Sequence, residues 1–318
     1  MRKIVVLDGY VANPGDFSWG PLLDMGDCQV YERTDSREEL LERATGAEVI
    51  LTDKVPINAD ILSVLPDLRF ISVLATGYNI VDIPACCQRG VVVSNVPNYS
   101  TESVAQHTFA LLLQMLNHTD EYTREVAEGA WSRSRDFTLF LSPIREIAGM
   151  TIGIIGYGMI GQAVARIARA FGMKVLVSTR TPKEDPTVSF CSLAELLGQS
   201  DVVSLHCPQT PETTRIINAS NIALMKPGAM LLNTARGGLV DEEALAQALN
   251  NGRLSGAALD VLSSEPPPAD NPLLHARNCH ITPHVAWAGL GARRRLMEIT
   301  FANVRAYLDG RPINVVNA

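Results

Sequence analysis

Short apolar runs recur along this chain, each bounded by Gly, Pro, Asp or Asn. Ile4–Leu7, Val49–Leu51, Phe70–Leu74 and Val91–Val93 form a first series, with amphipathic stretches at Arg37–Ala44 and Ala59–Leu65 between them. A second series follows at Lys174–Val177, Val202–Leu205, Ala229–Leu232, Gly256–Leu259 and His280–Thr282. Continuous apolar runs of strand length, alternating with helical patterns, predict βαβ units and buried parallel sheets. Two such modules are expected, with no short-period repeat and no low-complexity segment.

The second module opens on Thr151–Gly161, TIGIIGYGMIG. Ile152, Ile154 and Ile155 read as a buried strand that runs into Gly156-x-Gly158-x-x-Gly161. Ala163, Val164, Ile167 and Ala168 then repeat at helical spacing. Strand, glycine-rich turn and helix in that order predict a dinucleotide site. Gly156 serves the tight turn, Gly158 lets backbone approach a pyrophosphate, and Gly161 lets the helix pack on the strand with its N-terminus facing the anion. The motif usually opens a domain, yet about 150 residues precede it here.

The joints can be read as well. Ser100 to Leu116 carries Val104, Thr108, Leu111, Leu112 and Met115 on one helical face, with Ser100 as a candidate N-cap. Leu290 to Leu308 reads as another long helix with Leu296, Ile299, Val304 and Leu308 inward, stopped by Gly310 and Pro312. Residues 285–318 are too few for a domain, so they are expected to return to the first module. The division predicted is 1–99 with 285–318, and 100–284. Arg293, Arg294 and Arg295 read as a solvated helix face.

Composition narrows the classes. At 318 residues and 47% hydrophobic content the chain can bury two cores. A net charge of −7 argues against a nucleic-acid or anionic-membrane surface. None of the six cysteines forms a C-x-x-C pair, which suits reduced thiols in the cytoplasm. MRKIVVLDGY has too short an apolar stretch for a signal peptide, and no run approaches the ~20 residues of a membrane span. With no spaced pair of histidines or cysteines on a shared face, no metal is expected.

Three features beyond the glycine motif belong together. Asn233–Asp241 (NTARGGLVD) follows one strand, Ala258–Pro266 (ALDVLSSEP) ends another, and Thr282–Trp287 (TPHVAW) lies beyond the last. Arg236, an acid and His284 thus stand at the carboxyl ends of strands in one sheet, where open α/β sheets bind ligands. A guanidinium there suits a carboxylate.

With ATGYNIVDI at 75–83, VPNYSTESVAQH at 96–107, GIIGYGMIG at 153–161 and LHCPQTPET at 205–213, these segments make seven ordered matches. The chain resembles the D-isomer-specific 2-hydroxyacid dehydrogenase family over essentially its whole length. SWGPL near the start, VAQH and TPHVAWA are most similar to its glycerate dehydrogenase (hydroxypyruvate reductase) branch. Many relatives have glutamate where Gln106 stands and another residue where Trp287 stands.

The resemblance implies a fold of two doubly wound α/β domains, a Rossmann nucleotide domain and a flavodoxin-like substrate domain. It implies hydride transfer between nicotinamide and a small 2-oxo/2-hydroxy acid, with hydroxypyruvate/D-glycerate first. Glyoxylate reductase, D-lactate dehydrogenase, phosphoglycerate dehydrogenase and a corepressor-like nucleotide sensor are the alternatives. His284 would be the general acid, Glu265 its partner favouring the imidazolium, and Arg236 the group that binds the substrate carboxylate and polarises the 2-oxo oxygen. Backbone N–H groups of Ala75, Thr76 and Gly77 would also hold the carboxylate, and Trp287 would line the substrate site. Asp260 would meet the nicotinamide carboxamide. Val104, Met159, Ile160, His206, Cys207, Pro208, Thr213, Thr234, Ala235 and His284 join the glycines as cofactor contacts, with backbone rather than side-chain contacts expected at His206. A homodimer is implied, using the helix from 100 to 116 and the apolar segment to Ser142, including Trp131 and Phe137–Leu141. His107, His118, His275 and His280 read as ordinary packing or surface histidines.

Cofactor choice departs from the usual pattern. The strand at Lys174–Val177 should end in an acid for the ribose of NAD, but Ser178, Thr179 and Arg180 stand there instead. These could bind a 2′-phosphate, so NADPH is slightly favoured over NADH.

Overall fold

A computed structural model describes residues 2–181 and 183–317. It divides into two compact units, Met1–Ser100 with Ala288–Ala318, and Thr101–Trp287. No helix among the described residues is long and apolar enough to cross a membrane.

The first unit holds a five-stranded parallel sheet, β1 (Lys3–Val6), β2 (Asp27–Val30), β3 (Val49–Thr52), β4 (Phe70–Val73) and β5 (Val92–Ser94), in the order β2-β1-β3-β4-β5. That is the flavodoxin-like order, with its switch point between β1 and β3. β3 and β4 are buried at every position, as expected for strands covered on both faces. β2 is the strand that the apolar pattern does not announce. As an edge strand it alternates exposed and half-buried residues and has no continuous apolar run. Asp8 lies just beyond β1. Its carboxylate accepts the N–H groups of Asp53, Lys54 and Val55 at 2.9, 2.6 and 3.1 Å, tying the end of β1 to the turn after β3.

The C-terminal helix Leu290–Leu308 belongs to this unit through polar as well as apolar contacts. Leu296 and Val304 are fully buried, and Tyr307 stacks on Phe70 with ring centroids 4.5 Å apart. Asn303, also fully buried, donates to Asn95 O at 2.8 Å and accepts from Asn314 at 2.8 Å. The arginine run is not a solvated face throughout. Arg293 pairs with Asp16 and lies over Phe17, and Arg295, though exposed, donates to Tyr99 O at 2.8 Å, while the exposed Arg294 has its guanidinium 6.0 Å from the Phe17 ring.

The second unit holds a seven-stranded parallel sheet. Its strands are β6 (Thr151–Ile155), β7 (Lys174–Ser178), β8 (Ser189–Phe190), β9 (Val202–Leu205), β10 (Ala229–Asn233), β11 (Leu254–Leu259) and β12 (Cys279–Ile281). The order β12-β11-β10-β9-β6-β7-β8 is the Rossmann arrangement with one added strand, and the order reverses between β6 and β9. Two apolar layers cover the faces. Leu196, Val203, Leu231, Leu245 and Leu259 lie in one, and Leu112, Ile154, Val164, Leu232 and Ala258 in the other. The helix Thr101–Asn117 buries Leu111, Leu112 and Met115 in the second layer, and Val104 and Thr108 are buried on it as well. Val285–Trp287 groups with this unit because the N–H groups of Val285 and Ala286 bond to the carboxylate of Asp260.

Candidate active site

The carboxyl edge of the second sheet gathers most of the residues singled out from the sequence. At the reversal of strand order, Gly156, Ser178 and His206 stand at the ends of β6, β7 and β9. Gly156 N–H donates to Ser178 O and His206 N–H to Ile155 O, both at 2.8 Å. Gly156 has φ +96°, and a Cβ there would lie 2.6 Å from Cys207 N and 2.7 Å from His206 O. A Cβ on Gly161 would lie 2.2 Å from Gly156 O, so the helix Met159–Ala170 can sit this close to β6 only with glycine there. Gly158 is the N-cap of that helix, has no side-chain cap and faces open space. The first N–H groups of the helix are left for an anion. Met159 is exposed and Ile160 half-buried beside this opening.

Burial pushes His206 down to about 3, so the ring is neutral. Its Nε2 bonds Ser204 Oγ at 2.8 Å, beneath the backbone that Gly156 approaches. Thr213 Oγ1 donates to Pro208 O at 2.7 Å and accepts Thr210 N–H at 2.7 Å, fixing the loop that follows Cys207. Thr179 is half-buried and Arg180 exposed past β7. The carboxyl of Glu212 is lowered first by the Thr210 hydroxyl and last, among its causes, by the charge of Arg180.

On the other side of the sheet, β10, β11 and β12 carry the polar cluster. Asn233, buried at the end of β10, accepts Ala235 N–H at 3.0 Å and donates to Arg236 O at 2.9 Å, while its own carbonyl accepts Asp260 N–H at 2.8 Å. The loop through Thr234 and Ala235 is held, and the Arg236 side chain is exposed. Its Nη1 reaches only Ala235 O, at 2.7 Å, with no ion pair among the described residues. His284 Nδ1 lies 2.6 Å from Glu265 Oε2, and Glu265 Oε1 accepts Leu262 N–H at 3.0 Å. With Nδ1 committed to the carboxylate, Nε2 is left without a partner among the described residues. His284 has φ +53°, uncommon for a residue with a side chain.

Asp260 is 1% exposed and heavily used. Oδ1 accepts the Thr282 hydroxyl at 2.6 Å and Val285 N–H at 2.9 Å, and Oδ2 accepts Ala286 N–H at 2.8 Å. Burial pushes this carboxyl up, but His107 nearby and the bonds from Thr282, Ala286 and Val285 outweigh it and hold it below the usual carboxylate range.

In the first unit, Thr76 Oγ1 donates to Val96 O, Asn95 Nδ2 donates to Thr76 O, and Ala75 O accepts Val96 N–H, at 2.7, 2.7 and 3.0 Å. The N–H groups of Ala75, Thr76 and Gly77 have no acceptor among the described residues. Three further residues matter that the sequence pattern did not single out: Asn233, Thr282 and His107. Asn233 and Thr282 open motifs already noted and His107 ends one, but His107 is distant in sequence and only its approach to Thr282 reveals what it does.

Residues 109–286 match the model of the D-isomer-specific 2-hydroxyacid dehydrogenase NAD-binding domain. A hydroxypyruvate reductase of Blautia hydrogenotrophica is 47% identical over 99% of both chains. The chain belongs to the D-isomer-specific 2-hydroxyacid dehydrogenase family. It is similar also to a glycerate dehydrogenase of Methylorubrum extorquens, 44% identical over 91% of each chain. Among solved structures, the D-lactate dehydrogenase of Aquifex aeolicus complexed with NAD and lactic acid covers 100% of this chain and 99% of its own, with 32% identity and a TM-score of 0.85.

As a member of this family the protein is a nicotinamide-dependent dehydrogenase. The open N-terminus at Gly158 and the two glycines that admit no Cβ fit the pyrophosphate of such a cofactor. Replacement of Gly156 by alanine is therefore expected to displace the turn and abolish binding of reduced nicotinamide nucleotide. A fluorescence titration checks this, and unchanged affinity would show that the turn does not carry the cofactor.

Proposed function

We propose that this protein interconverts hydroxypyruvate and D-glycerate, and that the His284–Glu265 pair carries the chemistry together with Arg236, which makes no ion pair among the described residues. The names of the Blautia and Methylorubrum relatives support this substrate class. A bound nicotinamide supplies hydride to the substrate carbon, or takes it in reverse. Arg236 binds the substrate carboxylate in its planar fork and places positive charge where the alkoxide develops. The Nε2–H of His284 donates its proton to the carbonyl oxygen. Glu265, fixed by Leu262 N–H, holds the ring by Nδ1 and stabilises the protonated form. The loop Ala75–Gly77 offers its three free N–H groups to a carboxylate, and Trp287 is assigned to the substrate pocket. Asp260 retains acceptor capacity on Oδ2 for the nicotinamide carboxamide. Hydroxypyruvate, glyoxylate, pyruvate and 3-phosphohydroxypyruvate, each assayed with NADH and NADPH, test the reading. Turnover of none of them, or a preference for pyruvate, would reject it.

His284→Ala should lower turnover about 10²–10⁴-fold and leave nucleotide affinity nearly intact, because the proton is needed only as charge develops. Less than tenfold loss in a folded variant would remove His284 from the acid role. Glu265→Gln keeps the shape but withdraws the carboxylate that holds Nδ1, so turnover should fall while nucleotide affinity stays nearly intact. Unchanged turnover would separate the glutamate from the reaction.

We assign NADPH as the preferred cofactor because no acid stands at the end of β7 and the exposed Arg180 can meet a 2′-phosphate. A charge-assisted hydrogen bond of about 1.5–3 kcal/mol corresponds to roughly tenfold or more in affinity. Arg180→Ala should therefore weaken NADPH by that factor and spare NADH. Equal use of both nucleotides, unaffected by Arg180→Ala, would place the side chain in solvent.

A homodimer completes the proposal. The segment after Trp131 is fixed by Trp131 Nε1–H to Phe137 O and by the Tyr122 hydroxyl, which bonds Ser142 O and Leu141 N–H, each at 3.1 Å. Yet Phe137 is 91% and Phe140 86% exposed, an ordered apolar surface that a second copy of the chain would cover. Sedimentation velocity should show a dimer that Phe137→Asp with Phe140→Asp converts to monomer. A wild-type monomer at micromolar concentration would count against it.

A further inference from the structure

We infer that Ser103 and His107, on the helix Thr101–Asn117, are positioning residues that set the geometry of His284. The inference rests on the acid role proposed for His284.

The two residues are four apart and share one helical face. Ser103 Oγ donates to Ala286 O at 2.7 Å. His107 Nε2 lies 2.9 Å from Thr282 Oγ1 and 3.5 Å from Asp260 Oδ1. The direction of the chain is fixed by proton count. Thr282 has one hydroxyl proton, and it goes to Asp260 Oδ1 at 2.6 Å. Its oxygen can then only accept, so His107 must carry its proton on Nε2 and donate. The relay runs from His107 to Thr282 to Asp260, and Asp260 in turn holds the N–H groups of Val285 and Ala286.

His284 thus sits inside a bracket. Thr282, two residues before it, and Ala286, two residues after it, are both held by one rigid helix, directly or through Asp260. The N–H of His284 itself is tied to Asp260 O at 2.8 Å. A non-glycine residue keeps φ +53° only where its surroundings over-determine the backbone. The same helix reaches towards Arg236. Thr108 spends its proton on Val104 O at 2.8 Å, so the Thr234 hydroxyl donates to Thr108 Oγ1 at 2.9 Å. One helix therefore holds the segments carrying the proposed acid and, two residues from Arg236, the proposed carboxylate-binding group. Nothing in this arrangement requires His107 to touch a substrate.

The test compares His107→Leu, His107→Gln and Ser103→Ala. The glutamine amide can donate from near the position of Nε2, and leucine cannot. With hydroxypyruvate, kcat of the leucine variant should fall by about 10–100-fold, the scale expected for displacement of a reacting group by an ångström or less. The Kd for reduced nicotinamide nucleotide should stay within about threefold, and the glutamine variant should recover most of the lost turnover. Ser103→Ala should lower kcat severalfold. Hydrogen exchange at the Val285 and Ala286 amides reads the bracket without turnover. It should quicken in the leucine and alanine variants while the amides of β6 are unchanged. Equal turnover in wild type and the leucine variant overturns the inference, as do equally slow leucine and glutamine variants, or loss that tracks nucleotide binding. If the leucine variant does not fold, unchanged kcat and exchange in Ser103→Ala overturn it instead. A wild type that reduces no 2-oxo acid but shows the exchange pattern would reject the proposed function and leave the bracket standing.

Discussion

A buried carboxylate that must be fully hydrogen-bonded organises the reactive edge of this protein. Removing an ionised group from water is costly unless donors surround it, and Asp260 is met by a hydroxyl and two backbone amides. Satisfying that charge fixes the chain from Thr282 to Ala286. Through Asp260 N–H and Asn233 O it also links the end of β11 to the end of β10. Arg236 and His284 therefore sit on one hydrogen-bonded frame rather than on independent loops. The stretch 285–287 groups with the nucleotide-type unit for the same reason, although the helix that follows it packs into the other unit.

The opposite half of the same sheet edge is arranged by absence of volume. Gly156 and Gly161 let the turn, the end of β9 and the helix Met159–Ala170 approach more closely than any side chain would permit. Beneath them His206 is kept neutral by burial and spends Nε2 on Ser204, so no fixed charge from that ring competes at the helix N-terminus. A charged, hydrogen-bonded cluster at β10–β12 and a glycine-lined opening at β6–β9 divide the edge between them. One part suits proton and carboxylate chemistry, and the other suits a polyanion.

The charge pattern is consistent with this division. Arg236 is an exposed cation with no ion pair among the described residues, whereas Arg293 is engaged with Asp16, Arg295 with Tyr99 O, and Arg166 with Glu102. A guanidinium that the fold leaves unpaired at a sheet edge is available to a ligand carboxylate. Those that the fold pairs are bracing.

The sequence by itself determined the two parallel modules, the glycine turn and the order of the motifs. Each of these is local: a buried parallel strand needs an unbroken apolar run, and a turn against a helix N-terminus needs glycine at set spacing. It did not announce β2 or β8, whose edge positions relieve them of an apolar run, nor the bracing of Arg293 and Arg295, which looked solvated. Only the tertiary structure decided what His107 does. Its partners Thr282 and Asp260 lie more than 150 residues further along the chain, and the histidine reads as ordinary until packing of its helix on the sheet brings them within hydrogen-bond reach. Hydrophobic periodicity reports which face of an element is covered, and so it could bury that helix. It carries no information about which polar atoms meet once the face is covered, because that depends on the register of one element against another.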